Sequence, residues 1–149
     1  MENLRREGEC VLNLPSSKQV RTVDKLAFTT GMFPVPEYKL AIGTRYVKDK
    51  FAEASLTPLA SELIKPPRVL ECPVHLEAKV MNIHPFQSDD SQLAGVEVRI
   101  IRTHMEESIL STERRHYVDT DKWRPLIMSF CEFYELGENV YPSRLAKVF

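Results

Sequence analysis

The residues able to do chemistry in this chain stand apart from one another. Cys10, Cys72 and Cys131 are widely separated, with no C-x-x-C pair and no histidine at a metal-ligand offset, so neither a disulfide framework nor a zinc site is expected. All three read as small buried hydrophobes. His75, His84 and His116 have no partner at a meaningful spacing and receive no role. The catalytic patterns G-x-S-x-G, H-E-x-x-H, G-x-G-x-x-G and the Walker loop are missing, and five glycines leave little material for a phosphate-cradling loop. Chemistry here must come from a bound cofactor, or there is none.

Charge narrows the partners. Twenty basic residues against 21 acidic ones give a formal net charge of -1. No global field exists to hold a phosphate backbone or an anionic membrane, so nucleic acid and membrane are not expected partners. The runs Arg5-Arg6 and Arg114-Arg115-His116 are each flanked by glutamates and read as solvated faces. A 149-residue chain that is 43% hydrophobic and 28% charged has the composition of one globular domain, read here as residues 1–149. With no apolar segment of signal length and no run of about 18 apolar residues, the expected compartment is a reducing cytoplasm.

The elements that must position any site follow from pattern. Residues 1–7 are strong helix formers and Gly8 is a good residue to end them, so the chain reads as opening on the last turns of a helix whose start is missing. Cys10, Leu12 and Leu14 alternate with Val11 and Asn13 up to Pro15, a strand. Ser16-Ser17 is expected to cap a helix running to about Thr30, on the spacing of Val20, Val23, Leu26 and Ala27, with Gly31 ending it. From Gly31 to Pro67 five prolines predict a long irregular excursion, and Tyr38 to Thr57 is the first place to look for a ligand. Val69 to Ile83 and Val96 to Met105 have period two and predict an antiparallel hairpin across a polar turn at Gln87 to Gln92. One face would carry Val74, Leu76, Ala78 and Val80, and the other, with His75, Glu77 and Lys79, is expected to be wet. After Asp121, a short helix or packed loop is expected through Phe133 and Tyr134, with Trp123 and Pro125 in the core.

Four blocks carry a family resemblance. They are Asn3 through Pro15 (NLRREGECVLNLP), Lys50-Phe51 with Leu56-Thr57-Pro58, Leu70 through Val80 (LECPVHLEAKV), and Ile101 through Leu110. In this order and spacing they resemble the flavin reductase-like family, flavoredoxins included, and the first and third blocks are the more specific. The resemblance implies a mainly β fold, an FMN-binding split β-barrel with a few helices. It also implies a homodimer with FMN near the interface, and hydride transfer between a reduced nicotinamide, NADH or NADPH, and the flavin. Relative to the family the chain is expected to begin after the first strands, in effect N-terminally truncated. Those strands carry Asn and Ser/Thr side chains of the flavin site, along with a Thr just upstream of Asn3.

By position in the motifs, the resemblance implies four cofactor-binding residues. Asn3, with Arg5, matches the helix leading from the phosphate end; Lys50 matches a lysine near the flavin; His104 matches a histidine that approaches it; Tyr134, or else Tyr141, corresponds to an aromatic lying against the ring. No catalytic residue is assigned. Two other readings stay open: a non-catalytic flavin-binding or dimerisation module, and an inactive fragment.

Overall fold

The computed structural model of the protein describes residues 1–86, 93–115, 117–141 and 143–147. The turn expected at Gln87 to Gln92 and His116 lie outside these described residues.

The organising element is a three-stranded antiparallel sheet in the order β1 (Glu9–Leu14), β6 (Val74–Pro85), β7 (Ala94–Met105). A short helix, α1 (Glu2–Glu7), leads into it, and Gly8 turns the chain at φ 65° with its N–H on the Leu4 carbonyl. That left-handed turn suits glycine and confirms the helix end read from sequence. β1 sets Leu14 against Val74, Leu12 against Leu76 and Cys10 against Ala78, so the apolar residues of both strands share one face. The other face carries Glu9, Val11 and Asn13 beside Lys79, Glu77 and His75. The expected hairpin forms, with His75 opposite His104 and Glu77 opposite Arg102. A bulge follows at once, since Ala78 pairs with Ile100 and Ile101 is passed over.

Between β1 and β6 run small elements: α2 (Val20–Asp24), β2 (Thr29–Thr30), α3 (Glu37–Leu40), β3 (Arg45–Tyr46), α4 (Lys50–Ala54), β4 (Pro58–Leu59) and β5 (Arg68–Val69). β2 pairs in parallel with β3, and β4 antiparallel with β5. The excursion from Gly31 to Pro67 is mostly irregular, as its prolines require. A hairpin of β8 (Ile127–Ser129) and β9 (Glu132–Tyr134) follows the sheet. The architecture is mainly β, and its sheets do not close on themselves.

Five expectations change. The helix from Ser16 is a single 3₁₀ turn running into α2 and stops at Asp24. Ser16 does open it, donating its N–H and hydroxyl to the Gln19 side-chain oxygen, each at 2.7 Å. Beyond it, β-branched Thr29 and Thr30 are poor helix formers and pair with Arg45 and Tyr46 instead. The strand predicted from Val69 breaks in a turn at Leu70 and Glu71, closed by the Cys72 N–H on the Val69 carbonyl at 3.0 Å and followed by Pro73, which has no donor to give a ladder, so β5 and β6 are separate. The segment expected as helix or packed loop near Phe133 is the β8–β9 hairpin, turned by Phe130 at φ 50° and Cys131 at φ 67°. Two successive positive φ values match the twist of a tight hairpin, yet glycine or asparagine normally signals them. Cys131 is therefore exposed, and of the three cysteines Cys72 alone is buried. Trp123 and Pro125, placed in the core, are half-buried.

Candidate functional site

The face of the sheet expected to be wet is roofed. Glu77 is fully buried and His75 is 6% exposed. Their cover is the chain from Ala60 to Val69, and side chains of the sheet hold it by its backbone. Glu77 Oε1 accepts the N–H of Glu62 and Oε2 that of Leu63, both at 2.8 Å. Glu9 accepts from Lys65 N–H at 3.1 Å, and Asn13 Oδ1 from Val69 N–H at 2.9 Å. An irregular segment laid on a sheet must find partners for its amides, and here carboxylate and amide oxygens of alternate strand residues supply them. The Arg68 guanidinium completes the fold of the roof by donating to the Ala60 carbonyl, at 2.8 Å from Nη2.

Beneath that roof lie two histidines. His104 Nε2 is 2.7 Å from Glu77 Oε1, and its Nδ1 is 3.8 Å from Glu62 Oε1. His75 Nε2 is 2.7 Å from the Val69 carbonyl, which can only accept, so Nε2 carries the proton. The two rings meet edge to face with centroids 6.2 Å apart. Arg68 Nε stands 3.9 Å from Glu77, and Arg102 closes the outer side on Glu62 at 3.2 Å.

Burial would push the Glu77 carboxyl up, but the Glu62 and Leu63 amides together with His104 outweigh it and hold it below the usual carboxylate value. The His75 imidazole is depressed chiefly by burial, which favours its neutral ring. Burial, with the Glu71 carboxylate next to it, pushes the Cys72 thiol up to about 11, so it is inert rather than nucleophilic.

A cavity of about 860 Å³ opens beside this cluster. Its apolar walls are Leu59, Leu70, Pro73 and Met105, and its polar lining includes Glu62, Arg68, His75, Arg102, His104 and Glu106. That size is within the range of cofactor pockets, and the lining sets these four apolar side chains beside Arg68, Arg102 and the two histidines, with the Glu62, Glu71 and Glu106 carboxylates also on it. A flavin ring calls for apolar contact and hydrogen-bond donors, and Leu59, Leu70, Met105, Arg68, Arg102 and His104 are of the types that could supply them.

Of the residues singled out by position, His104 lines the cavity. Asn3 is exposed on α1, Lys50 is exposed at the first position of α4 and Tyr134 is exposed on β9; none of these three lines it. Nor does Tyr38 to Thr57, for the cavity draws on Leu59 and Glu62 just beyond. Sequence reasoning passed over Glu77, His75, Arg68 and Asn13. The available signal was the alternation His75-x-Glu77 in a strand paired with one carrying Arg102-x-His104, which puts four ionisable side chains on one face.

Comparison with known proteins gives the framework its kinship. The chain is 37% identical over 140 residues to the uncharacterized protein YdfE of Bacillus subtilis (strain 168), covering 94% of this chain and 66% of that protein. Among solved structures it superposes on flavoredoxin of Desulfovibrio vulgaris (Miyazaki F) with a TM-score of 0.70 at 24% identity, covering 98% of this chain and 68% of that one. It superposes equally, at 0.70 and 21% identity, on nitrilotriacetate monooxygenase component B from Bacillus cereus, covering 95% of this chain and 63% of that one. These likenesses show a shared fold, and the chain spans about two thirds of the length of each of these relatives. The family model described as flavin reductase like domain matches residues 1–121. A match over that much of the sequence, on the same framework that roofs His104 and Glu77, shows that this chain belongs to the flavin reductase-like family.

Proposed function

We propose that the chain is a flavin-binding oxidoreductase domain, spanning residues 1–149, that holds FMN and takes hydride from NADH or NADPH. The observation that carries this reading is the cavity beside His104, whose lining pairs apolar walls with Arg68, Arg102 and a braced imidazole. Leu59, Leu70 and Met105 would contact the ring system. Arg68 and Arg102 would offset negative charge, and His104 would hydrogen-bond a ring heteroatom. When bound, the flavin supplies the two-electron chemistry, accepting hydride from the nicotinamide; the protein orients both and excludes water. Asn3, Lys50 and Tyr134 belong to the proposal as outer contacts, brought in by position in the family motifs.

Two further parts of the reading have their own support. The exposed apolar side chains Phe130 (99%), Tyr141 (82%) and Met128 (61%) suit burial against a second copy, hence a homodimer. Three unpaired cysteines suit a reducing cytoplasm. Light scattering on the eluted protein tests the first point, and a monomer at micromolar concentration would remove it.

The deciding experiment is an FMN titration followed by flavin fluorescence. Saturable quenching in the micromolar range, about -8 kcal/mol, is expected. No binding up to millimolar FMN would overturn the reading. NADH and NADPH oxidation with FMN present then separates an enzyme from a non-catalytic flavin module.

A further inference from the structure

Glu77 has more partners than a structural carboxylate needs. It is buried at 0% exposure on β6, and the two roof amides, Glu62 N–H and Leu63 N–H, already satisfy an oxygen each. The third contact, His104 Nε2 at 2.7 Å, falls on Oε1, the same oxygen that takes the Glu62 amide. One atom thus fixes both the roof and the ring. An ionised carboxylate has no hydrogen to give, so His104 must donate through Nε2–H. The ring's other nitrogen, Nδ1, lies on the Glu62 side with Oε1 at 3.8 Å, beyond hydrogen-bond length, and both residues line the cavity.

We propose that Glu77 is a positioning residue for His104: it holds the proton on Nε2 and leaves Nδ1 as the ring nitrogen offered to whatever occupies the cavity. The arrangement parallels a carboxylate that orients an imidazole toward a reacting group without touching that group itself. The edge of His75, 6.2 Å away between centroids, limits the ring's freedom to turn. The inference rests on the flavin reading above for the identity of the occupant, though not for the state of the ring.

The test has two arms on the full chain. Ring nitrogen NMR of histidine-labelled protein without flavin reads the tautomer directly. The proton of His104 is expected on Nε2 and slow to exchange, and E77Q is expected to lose that protected signal; a ring protonated on Nδ1 alone in the unsubstituted protein would overturn the proposal. The second arm titrates FMN into the unsubstituted protein, E77Q, H104A and the double variant. E77Q should weaken binding roughly tenfold, as loss of an orienting partner does, and the double variant should bind no worse than H104A. Additive losses would mean that Glu77 acts on the fold and not through His104, and E77Q binding as tightly as the unsubstituted protein would equally sink the idea. Should E77Q fail to fold, the tautomer in the unsubstituted protein decides. If that protein binds no FMN, the flavin reading falls while the tautomer still settles the role of Glu77.

Discussion

The two faces of the central sheet are both buried at their centre, the polar one as fully as the apolar one. On the apolar face Val74 and Ala78 are buried, yet Leu12 is 39% and Ile100 40% exposed. On the polar face, Glu77 and His75 are more thoroughly covered than either. Side-chain polarity set the alternation, but what lies on top set the burial. A roof of ten residues, Ala60 to Val69, chooses the polar face because Glu9, Asn13 and Glu77 can bond its amides, which an apolar face cannot do. The lesson is that a loop selects its floor by hydrogen-bond demand, and not by the apolar pattern of the strands alone.

The comparison breaks most sharply at Glu77. Glu77→Ala strands two amides and His104 in the interior, and should cost about 3–5 kcal/mol in urea unfolding, as removal of one partner from a buried charged network does. A loss under about 1 kcal/mol would mean that the roof does not depend on it. On the apolar face Val74→Ala removes well-covered atoms and should cost about 2 kcal/mol, against under about 0.5 kcal/mol for Met81→Ala at the exposed far end of β6. Equal costs would erase the distinction between covered and open strand.

Acid should attack the polar face first. The folded His75 value is depressed below 6.5, so its contribution is fully present above pH 6.5 and is lost as pH falls through the folded value. The folded Glu77 value is depressed below 4.5, so its contribution stands above pH 4.5 and disappears at more acid pH. Unfolding midpoints should therefore fall in two stages on acidification, and His75→Gln should flatten the stage that starts near pH 6.5. A variant whose profile superposes on the original would exclude His75 as its source.

Cysteine reactivity gives a smaller contrast. Cys72, buried and with its thiol pushed up to about 11, should be the last to react with iodoacetamide at neutral pH, and exposed Cys131 the first. Modification of Cys72 in the native protein at the rate of Cys131 would show that its burial is readily lost. The smallest effect is expected at Lys50, exposed and outside the cavity: Lys50→Ala should weaken FMN binding less than H104A. The reverse order would move the flavin from the His104 cavity toward α4.

Much of the frame was legible from residue order. Period-two alternation located β1, β6 and β7 because a strand's side chains must alternate, and Gly8 closed α1 because few other residues take a left-handed turn cheaply. Pro73, though, was read through, and the Phe130-Cys131 turn carried no glycine to announce it. For the site, motif position pointed to His104 but missed Glu77 and His75, since a glutamate on the polar side of a strand looks the same whether water or a loop covers it.

The sequence by itself thus determined the hairpin, the separate strand β1, the irregular run of prolines and the family to which the blocks belong, all of them local in pattern. Only the tertiary structure decided which face is buried, which side chains close on His104, and where the cavity lies. The physical reason is that burial of a polar face depends on a segment distant in sequence bringing unpaired amides to it, and no period along the strand encodes that arrival.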